Sequence, residues 1–289
     1  MKKLQALAAS TALVMGLGIG SARAAAVSDV LFLGLQVLSD NSAESLIDMG
    51  FGTSTTLDVG DRLRGIGTIS TVEQAPNPDR FLGAPSTNSE LAFVFDLTVV
   101  AKVGAGPLFD YGFIPTPIGT SGFGAFGAPA GTGLVAFEDA THEFTRSACA
   151  TTGACEGNIT DGTAFWYFGF KAALGLGEVQ FWAANDAPDV PIAFAPASGG
   201  GQFYVGLWQL AGGSGPLLGP VFLCANAVTG VVGTVNACAN GNLAVKGGGP
   251  YEVWDNMDIS INRIPEPASL ALLGIALLAL GAIRPRRRA

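Results

Sequence analysis

The chain has 289 residues, of which 49% are hydrophobic and only 13% are charged. This hydrophobic share can build a sizeable core, and it excludes a disordered acidic chain. Small and turn-forming residues replace the missing charge, with 41 Gly and 16 Pro, which is typical of short strands joined by turns. The single histidine, His142, excludes catalytic His pairs and multi-His metal sites.

The formal net charge of −8 is unevenly distributed along the chain. Residues 24–283 contain 8 Lys or Arg against 23 Asp or Glu, so the body is strongly acidic. Because such a body repels phosphate backbones, we expect no nucleic-acid partner. The other basic residues lie at the two ends: Lys2, Lys3, Arg23, Arg284, Arg286, Arg287 and Arg288.

The first 24 residues have the three parts of a secretory signal peptide. Lys2 and Lys3 form a basic start, residues 4–20 are apolar, and Ala22-Arg23-Ala24 is a small-x-small cleavage pattern. A second cleavage register, Ala24-Ala25-Ala26, and an uncleaved anchor are the alternatives. We therefore expect export and removal of residues 1–24 by a signal peptidase.

The body, residues 25–264, has the pattern of a single all-β domain. A helical period stands out only at 42–49, where Ala43, Leu46, Ile47 and Met49 could line one face. Apolar alternation and β-branched or aromatic residues predict strands at 30–38, 62–72, 91–103, 163–172, 178–183, 202–210, 228–235 and 251–264. Strands separated by Gly-rich turns predict an antiparallel β-sandwich of jelly-roll type.

Two Gly/Pro-rich stretches, residues 104–133 and 196–220, are predicted as loops. Aromatic residues recur in the first stretch, so we expect it to lie against the core. They are Phe109, Tyr111, Phe113, Phe123 and Phe126.

Two local motifs look like functional sites and are better explained otherwise. Gly122 to Gly127 reads GxGxxG, but Pro117 precedes it and Pro129 interrupts any following helix, so no dinucleotide cofactor is expected. Residues 138–143 gather three carboxylates and His142 without the spacing of a Ca²⁺ loop or a partner for a catalytic triad. We predict a solvated loop, with weak cation binding as the alternative, no metal site and no catalytic residues.

The four cysteines form two local pairs, Cys149 with Cys155 and Cys224 with Cys238. Neither pair has CxxC spacing or a nearby His, which argues against structural zinc. In an exported protein four cysteines allow three pairings, and closing the two short loops is the simplest. Four free thiols are the alternative.

The four tryptophans lie in strand-like segments, where core packing is the usual fate of an aromatic residue. Stacking on sugar rings is the functional alternative. Trp182 and Trp208 are best placed for it because they lie beside predicted loops.

The C-terminus has three parts in a fixed order. Pro265-Glu266-Pro267 comes first, an apolar run at 268–283 follows, and Arg284, Arg286, Arg287 and Arg288 end the chain. Sixteen helical residues span about 24 Å, enough for a transmembrane helix with local thinning of the bilayer. The arginines place the end of this helix in the cytoplasm and the acidic body outside.

This tripartite end, residues 265–289, resembles the PEP-CTERM sorting signal; a plain tail anchor is the alternative. The resemblance implies a Gram-negative envelope and processing by exosortase, an integral-membrane cysteine transpeptidase that acts on such tails. It also implies association with exopolysaccharide or biofilm matrix. The precursor would be tethered to the inner membrane before reaching the outer surface or the extracellular matrix.

Three hypotheses for the body follow, in order of preference. The first is a structural or interaction protein delivered to the cell surface or matrix. The second is a carbohydrate-binding module that uses exposed aromatic residues. An enzyme ranks third, because no complete catalytic set can be assembled from these residues.

Overall fold

The computed structural model describes residues 26–39, 45–48, 58–82, 89–105, 108–141, 151–170, 181–184, 200–225, 232–245 and 253–265. Helices within these stretches are short. They are α1 (Val27–Val30), α2 (Ile118–Ser121), a 3-10 helix (Phe123–Phe126) and α3 (Thr152–Thr160).

Strands account for most of the described chain. The first eight are β1 (Gly34–Ser39), β2 (Ser45–Asp48), β3 (Arg62–Ile69), β4 (Thr71–Glu73), β5 (Arg80–Phe81), β6 (Glu90–Ala105), β7 (Leu108–Pro115) and β8 (Thr132–Asp139). The others are β9 (Thr163–Gly169), β10 (Phe181–Ala184), β11 (Gly200–Gln209), β12 (Val221–Ala225), β13 (Val232–Val235), β14 (Ala237–Val245) and β15 (Val253–Arg263).

Thirteen of these strands join one antiparallel sheet, and β12 and β13 form a separate pair. The order is β5-β4-β1-β15-β2-β3-β6-β7-β10-β11-β9-β8, with β14 paired to both β11 and β15. The strand pairings form a circuit that starts and ends at β15. Each strand pairs with the next in the order β15, β14, β11, β10, β7, β6, β3 and β2, and β2 pairs again with β15. The sheet is therefore curled around its own inner face.

The prediction of a mostly β, antiparallel fold is confirmed, whereas the two packed sheets of a jelly-roll sandwich are not found among the described strands. The difference is explained by long strands that pair with two successive neighbours on the same side. On one side β6 pairs with β3, and on the other side it pairs first with β8 and then with β7, with a register shift between Val99 and Ala101. Such an irregularity bends and twists a strand, so one sheet can curl instead of splitting into two. The alternation of side chains along a strand is the same in both arrangements.

The main apolar core lies on the inner face of the curled sheet. Leu38 from β1, Phe93 from β6 and Ile261 from β15 are at most 2% exposed. Together with Ala136 and Trp166 they line one small apolar cavity, so side chains from strands all around the sheet meet there. In β15 the buried Met257, Ile259 and Ile261 alternate with half-buried polar residues, as the sequence predicts.

A second apolar layer covers the outer face of β6 and β8. Val94 and Val135 pack in this layer, while their chain neighbours Phe93 and Ala136 face the inner core. This follows from the alternation of side chains along a strand. Residues 117–128 and α3 cover the layer, supplying Phe123, Ala128, Cys155 and Ile159.

The first Gly/Pro-rich stretch is largely structured, contrary to the prediction of a loop. It contains β7, α2 and the 3-10 helix. The expectation that its aromatic residues lie against the core is confirmed for Phe113 and Phe123, which are 0% exposed, and for Tyr111, which is 4% exposed. Phe126 packs edge-to-face on Phe137 with ring centroids 5.0 Å apart.

The predicted helix at 42–49 is wrong, because the described part of this segment is strand β2. Leu46 pairs with Trp254 of β15 on one side and with Ile66 of β3 on the other. Pairing with two neighbours outweighs a short helical period. Conversely, α3 was not predicted, because only Cys155 and Ile159 are buried along its nine residues.

Candidate functional site

The end of β15 is the place where the described domain gives way to the C-terminal tail. Gly34 of β1 pairs with Arg263 on one side, and Leu218 forms a β-bridge with Arg263 on the other. The amide of Ile264 donates to the Leu217 carbonyl at 3.4 Å. Pro265, the next residue, is exposed. Strand pairing and backbone hydrogen bonds therefore continue up to the residue before the Pro-Glu-Pro motif.

The Arg263 side chain joins this end of the domain to its first residues. Its Nη1 donates to the Ser28 carbonyl at 2.6 Å and to the Leu31 carbonyl at 2.9 Å. Both carbonyls belong to the turn around α1, where helical geometry leaves C=O groups without an intrahelical partner. Residues 26–31 and 263–265 therefore lie at the same end of the sheet.

The segment around α1 is held by further contacts. The amide of Val27 donates to Glu138 Oε1 at 2.6 Å, and Val27 is 0% exposed. Arg80 donates to the Val30 carbonyl at 2.7 Å and lies 3.8 Å from the ring centroid of Phe32. The residues that follow the predicted signal peptide are thus an integral part of the fold.

A charged cluster on β3, β6 and α3 is the most concentrated group of ionisable side chains among the described residues. Asp96 has a fully buried side chain and accepts hydrogen bonds from both Arg62 and Arg64. Arg64 also holds Glu156 through two bonds, from Nε at 2.6 Å and from Nη2 at 2.8 Å. It donates as well to the Ser121 carbonyl at 2.8 Å.

This cluster holds α3 and residues 117–128, which cover the second apolar layer, against the sheet. The hydrogen bond to Asp96 raises the pKa of Arg62 above its ordinary value. Burial works to lower the pKa of Arg64, but the hydrogen bonds and charges of Glu156 and Asp96 raise it on balance. Both guanidinium groups therefore stay charged, and two cations balance two carboxylates. The sequence analysis did not find this cluster; its only local signal is two arginines at i and i+2, on one face of a strand.

The described tryptophans have different environments. Trp166 is 2% exposed and donates from Nε1 to the Pro216 carbonyl at 2.9 Å, so it is a core residue. Trp208 is half-buried and follows the buried Leu207 on β11. The side chains of Trp182 and Trp254 lie outside the described residues. Sugar stacking by Trp182 and Trp208 stays a prediction.

The cysteine pairing also stays a prediction. Cys155 lies on α3 and is 1% exposed, and Cys238 lies on β14. Both are disulfide-bonded. Cys149 and the Cys224 side chain lie outside the described part of the chain.

The two local motifs are described only in part, and the predicted solvated loop at 138–143 is wrong for Glu138 and Asp139, which end strand β8. Gly122 and Gly127 have φ of +78° and +76° and flank the 3-10 helix, a conformation that favours glycine. Asp139 accepts from the Thr141 amide at 2.9 Å, as in a local turn. His142 and Glu143 lie outside the described residues. Within the described stretches, no group of three or more His, Cys, Asp or Glu side chains is placed to hold a metal ion.

The remaining predicted features are not described by the structure. They are the signal peptide at 1–24, Glu266 and Pro267, the apolar run at 268–283 and the four terminal arginines. No helix within the described residues is long and apolar enough to span a bilayer.

The geometry defines a class: a β domain whose last strand runs directly into a C-terminal tail beginning Pro-Glu-Pro. Residues 263–288 match the family model of the PEP-CTERM protein-sorting motif, which confirms the resemblance. The chain therefore carries this motif, which implies export and membrane-associated processing by an exosortase in a Gram-negative bacterium. No curated protein and no solved structure matches the chain.

Proposed function

We propose that this protein is a structural or interaction component of the outer surface or extracellular matrix, and that its β domain is the cargo of the sorting motif. The match to the motif starts at Arg263, which is also the last residue of β15. This shared residue is the observation that carries the proposal. It means that cleavage at the motif releases the whole folded domain with almost no residual tail.

The order of events follows from the charge and hydropathy of the two ends. Signal peptidase removes residues 1–24, and the apolar run at 268–283 holds the domain at the outer face of the inner membrane. Arg284, Arg286, Arg287 and Arg288 stay in the cytoplasm, because moving a charged side chain through the bilayer costs several kcal/mol. Exosortase then acts at Pro265-Glu266-Pro267, next to the folded domain.

Mass spectrometry of protein recovered from the surface or matrix tests this proposal. The mature protein is expected to lack both residues 1–24 and the arginine-rich tail. Mature molecules that still carry residues 284–289 would contradict sorting and support a simple C-terminal anchor.

Binding of an exopolysaccharide is a second candidate function, and the register of β10 and β11 favours it. Trp182 of β10 pairs with Tyr204 of β11, and Trp208 lies four residues further along the same strand. Val205 and Leu207 face the inner core, so the half-buried Trp208 belongs to the outer face. An aromatic side chain on an outer face is suited to stacking on sugar rings.

A further inference from the structure

Exposed apolar side chains are concentrated at the end of the domain where the tail leaves. Among the described residues, six large hydrophobic side chains are exposed, and four of them surround Arg263 in the fold. These four, called the exit patch below, are Leu33 (58% exposed), Leu35 (60%), Leu217 (56%) and Ile264 (37%). Of the other two, Phe81 follows Arg80, which contacts the same turn as Arg263, so only Val59, in the turn before β3, serves as an internal control.

Strand pairing puts the four side chains on one face. Gly34, Arg263 and Leu218 lie side by side in neighbouring strands, and directly opposed residues share a face of a sheet. Leu218 is 6% exposed and belongs to the inner core. The residues next to these three in sequence therefore face outward, and they include all four members of the exit patch.

The polar groups around the exit patch already have partners. Nε2 of Gln74 donates to the carbonyls of both Leu33 and Leu35, each at 2.8 Å. The Leu217 carbonyl accepts the Ile264 amide, and Nδ2 of Asn262 donates to the Pro220 carbonyl at 2.9 Å. Covering the patch with an apolar surface would thus leave these carbonyls with their partners, which lowers the cost of removing water.

The short distance between the end of β15 and the apolar run limits which surfaces the exit patch can contact. Ala268 begins the apolar run and is only three residues after Pro265. Three residues span at most about 10–11 Å when fully extended. If the apolar run is inserted in a bilayer, the end of β15 and the exit patch around it are therefore held close to the lipid surface.

We propose that the exit patch contacts the lipid of the outer leaflet of the inner membrane while the precursor is tethered. This inference rests on the proposed function, because it requires the C-terminal run to be inserted. The contact would orient the domain with the end of β15 toward the membrane and hold Pro265-Glu266-Pro267 at the interface. A second copy of the chain fits less well, because four side chains bury far less area than a stable dimer interface.

Photolabelling of the full chain in lipid vesicles tests the inference. The protein is reconstituted in vesicles of phosphatidylethanolamine and phosphatidylglycerol that contain a phospholipid with a photoactivatable group near its headgroup. Peptides containing Leu33, Leu35, Leu217 and Ile264 are expected to carry lipid adducts several-fold more often than peptides containing Val59. The double variant L35S/L217S should lose much of the labelling at Ile264, whereas the control variant V59S should not.

Two readouts separate failure of this inference from failure of the proposed function. Flotation with the vesicles reports insertion of the tail, and labelling reports contact of the patch. Flotation with uniform or absent labelling would overturn lipid contact, as would crosslinks between two copies through the patch. Loss of flotation would overturn the tether itself and the lipid contact with it.

Discussion

Arg263 donates a 2.6 Å hydrogen bond from Nη1 to the carbonyl oxygen of Ser28, a residue 235 positions earlier in the chain. One side chain thereby joins the end of β15 to the first turn of the described domain. The same residue is the first position of the sorting motif. We therefore expect this guanidinium group to couple the stability of the domain to the position of the motif.

The variant Arg263→Met tests this coupling. It removes two hydrogen bonds made by a charged donor, each typically contributing about 1.5–3 kcal/mol, so the free energy of unfolding should fall by about 2 kcal/mol after discounting for partial exposure. Urea denaturation measures the loss, and hydrogen exchange should show reduced protection at residues 27–31. Arg263→Lys keeps the charge and an ammonium donor but loses the planar guanidinium, so it should recover part of the stability. Unchanged protection in Arg263→Met would contradict the coupling.

The buried carboxylate of Asp96 should be among the most sensitive positions of the domain. Asp96→Asn leaves Arg62 and Arg64 without their shared charge partner, and breaking a buried pair costs about 3–5 kcal/mol. Partial exposure of Arg62 should bring the loss to the lower end of that range. Chemical denaturation measures it.

Asp58→Asn is the matched control for Asp96→Asn. Asp58 pairs with Lys102 at 3.0 Å, but its side chain is 52% exposed. Exposed pairs contribute at most about 1 kcal/mol. Equal losses in the free energy of unfolding for the two substitutions would show that the charged cluster does not hold α3 and residues 117–128 against the sheet.

Both cysteine pairs should be oxidised in protein recovered from the envelope. Alkylation before and after reduction should differ by four thiols, and peptide mapping without reduction should link Cys149 to Cys155 and Cys224 to Cys238. Each short loop should contribute roughly 2–3 kcal/mol by the chain-entropy estimate. Four free thiols, or a link between the two pairs, would contradict this prediction.

Substitutions in the two parts of the sorting tail should have different effects, one on processing and the other on membrane retention. Replacing Pro265, Glu266 and Pro267 with Ala should leave the apolar run inserted and block processing, so the precursor accumulates in the inner membrane. Replacing Arg286, Arg287 and Arg288 with Ala should weaken retention, because the charges that resist crossing the bilayer are gone. Mass spectrometry of membrane and released fractions distinguishes the two outcomes. Normal processing of the triple-Ala motif variant would contradict recognition at this motif.

If the outer face of the sheet at Trp208 binds an exopolysaccharide, Trp208→Ala should lower the affinity for that polysaccharide several-fold on a glycan array. Trp208 is half-buried, so the melting temperature should shift less than for a core residue. Phe81→Ala, at a position 52% exposed and away from this face, is the control. Equal binding by both variants would exclude Trp208 from such a site.

Local patterns predicted a large part of the fold and little of its architecture. The alternation in β15 predicts one buried and one polar face, and Met257, Ile259 and Ile261 are indeed buried. The segment at 42–49 was misassigned because a short helical period and a strand flanked by two partners look alike in eight residues. The curl of the sheet was missed because a period of two does not record which strands are neighbours.

The sequence by itself determined the all-β class, the acidic body and the sorting tail, since these depend on composition and on residues adjacent in the chain. Tertiary structure alone decided the rest. It brought Arg62, Arg64, Asp96 and Glu156 together from β3, β6 and α3, and it set Arg263 against Ser28. It also gathered the exit patch from three separate segments. Contacts between residues far apart in the chain depend on strand neighbours and registers, which are set by the packing of the whole core and not by any local pattern.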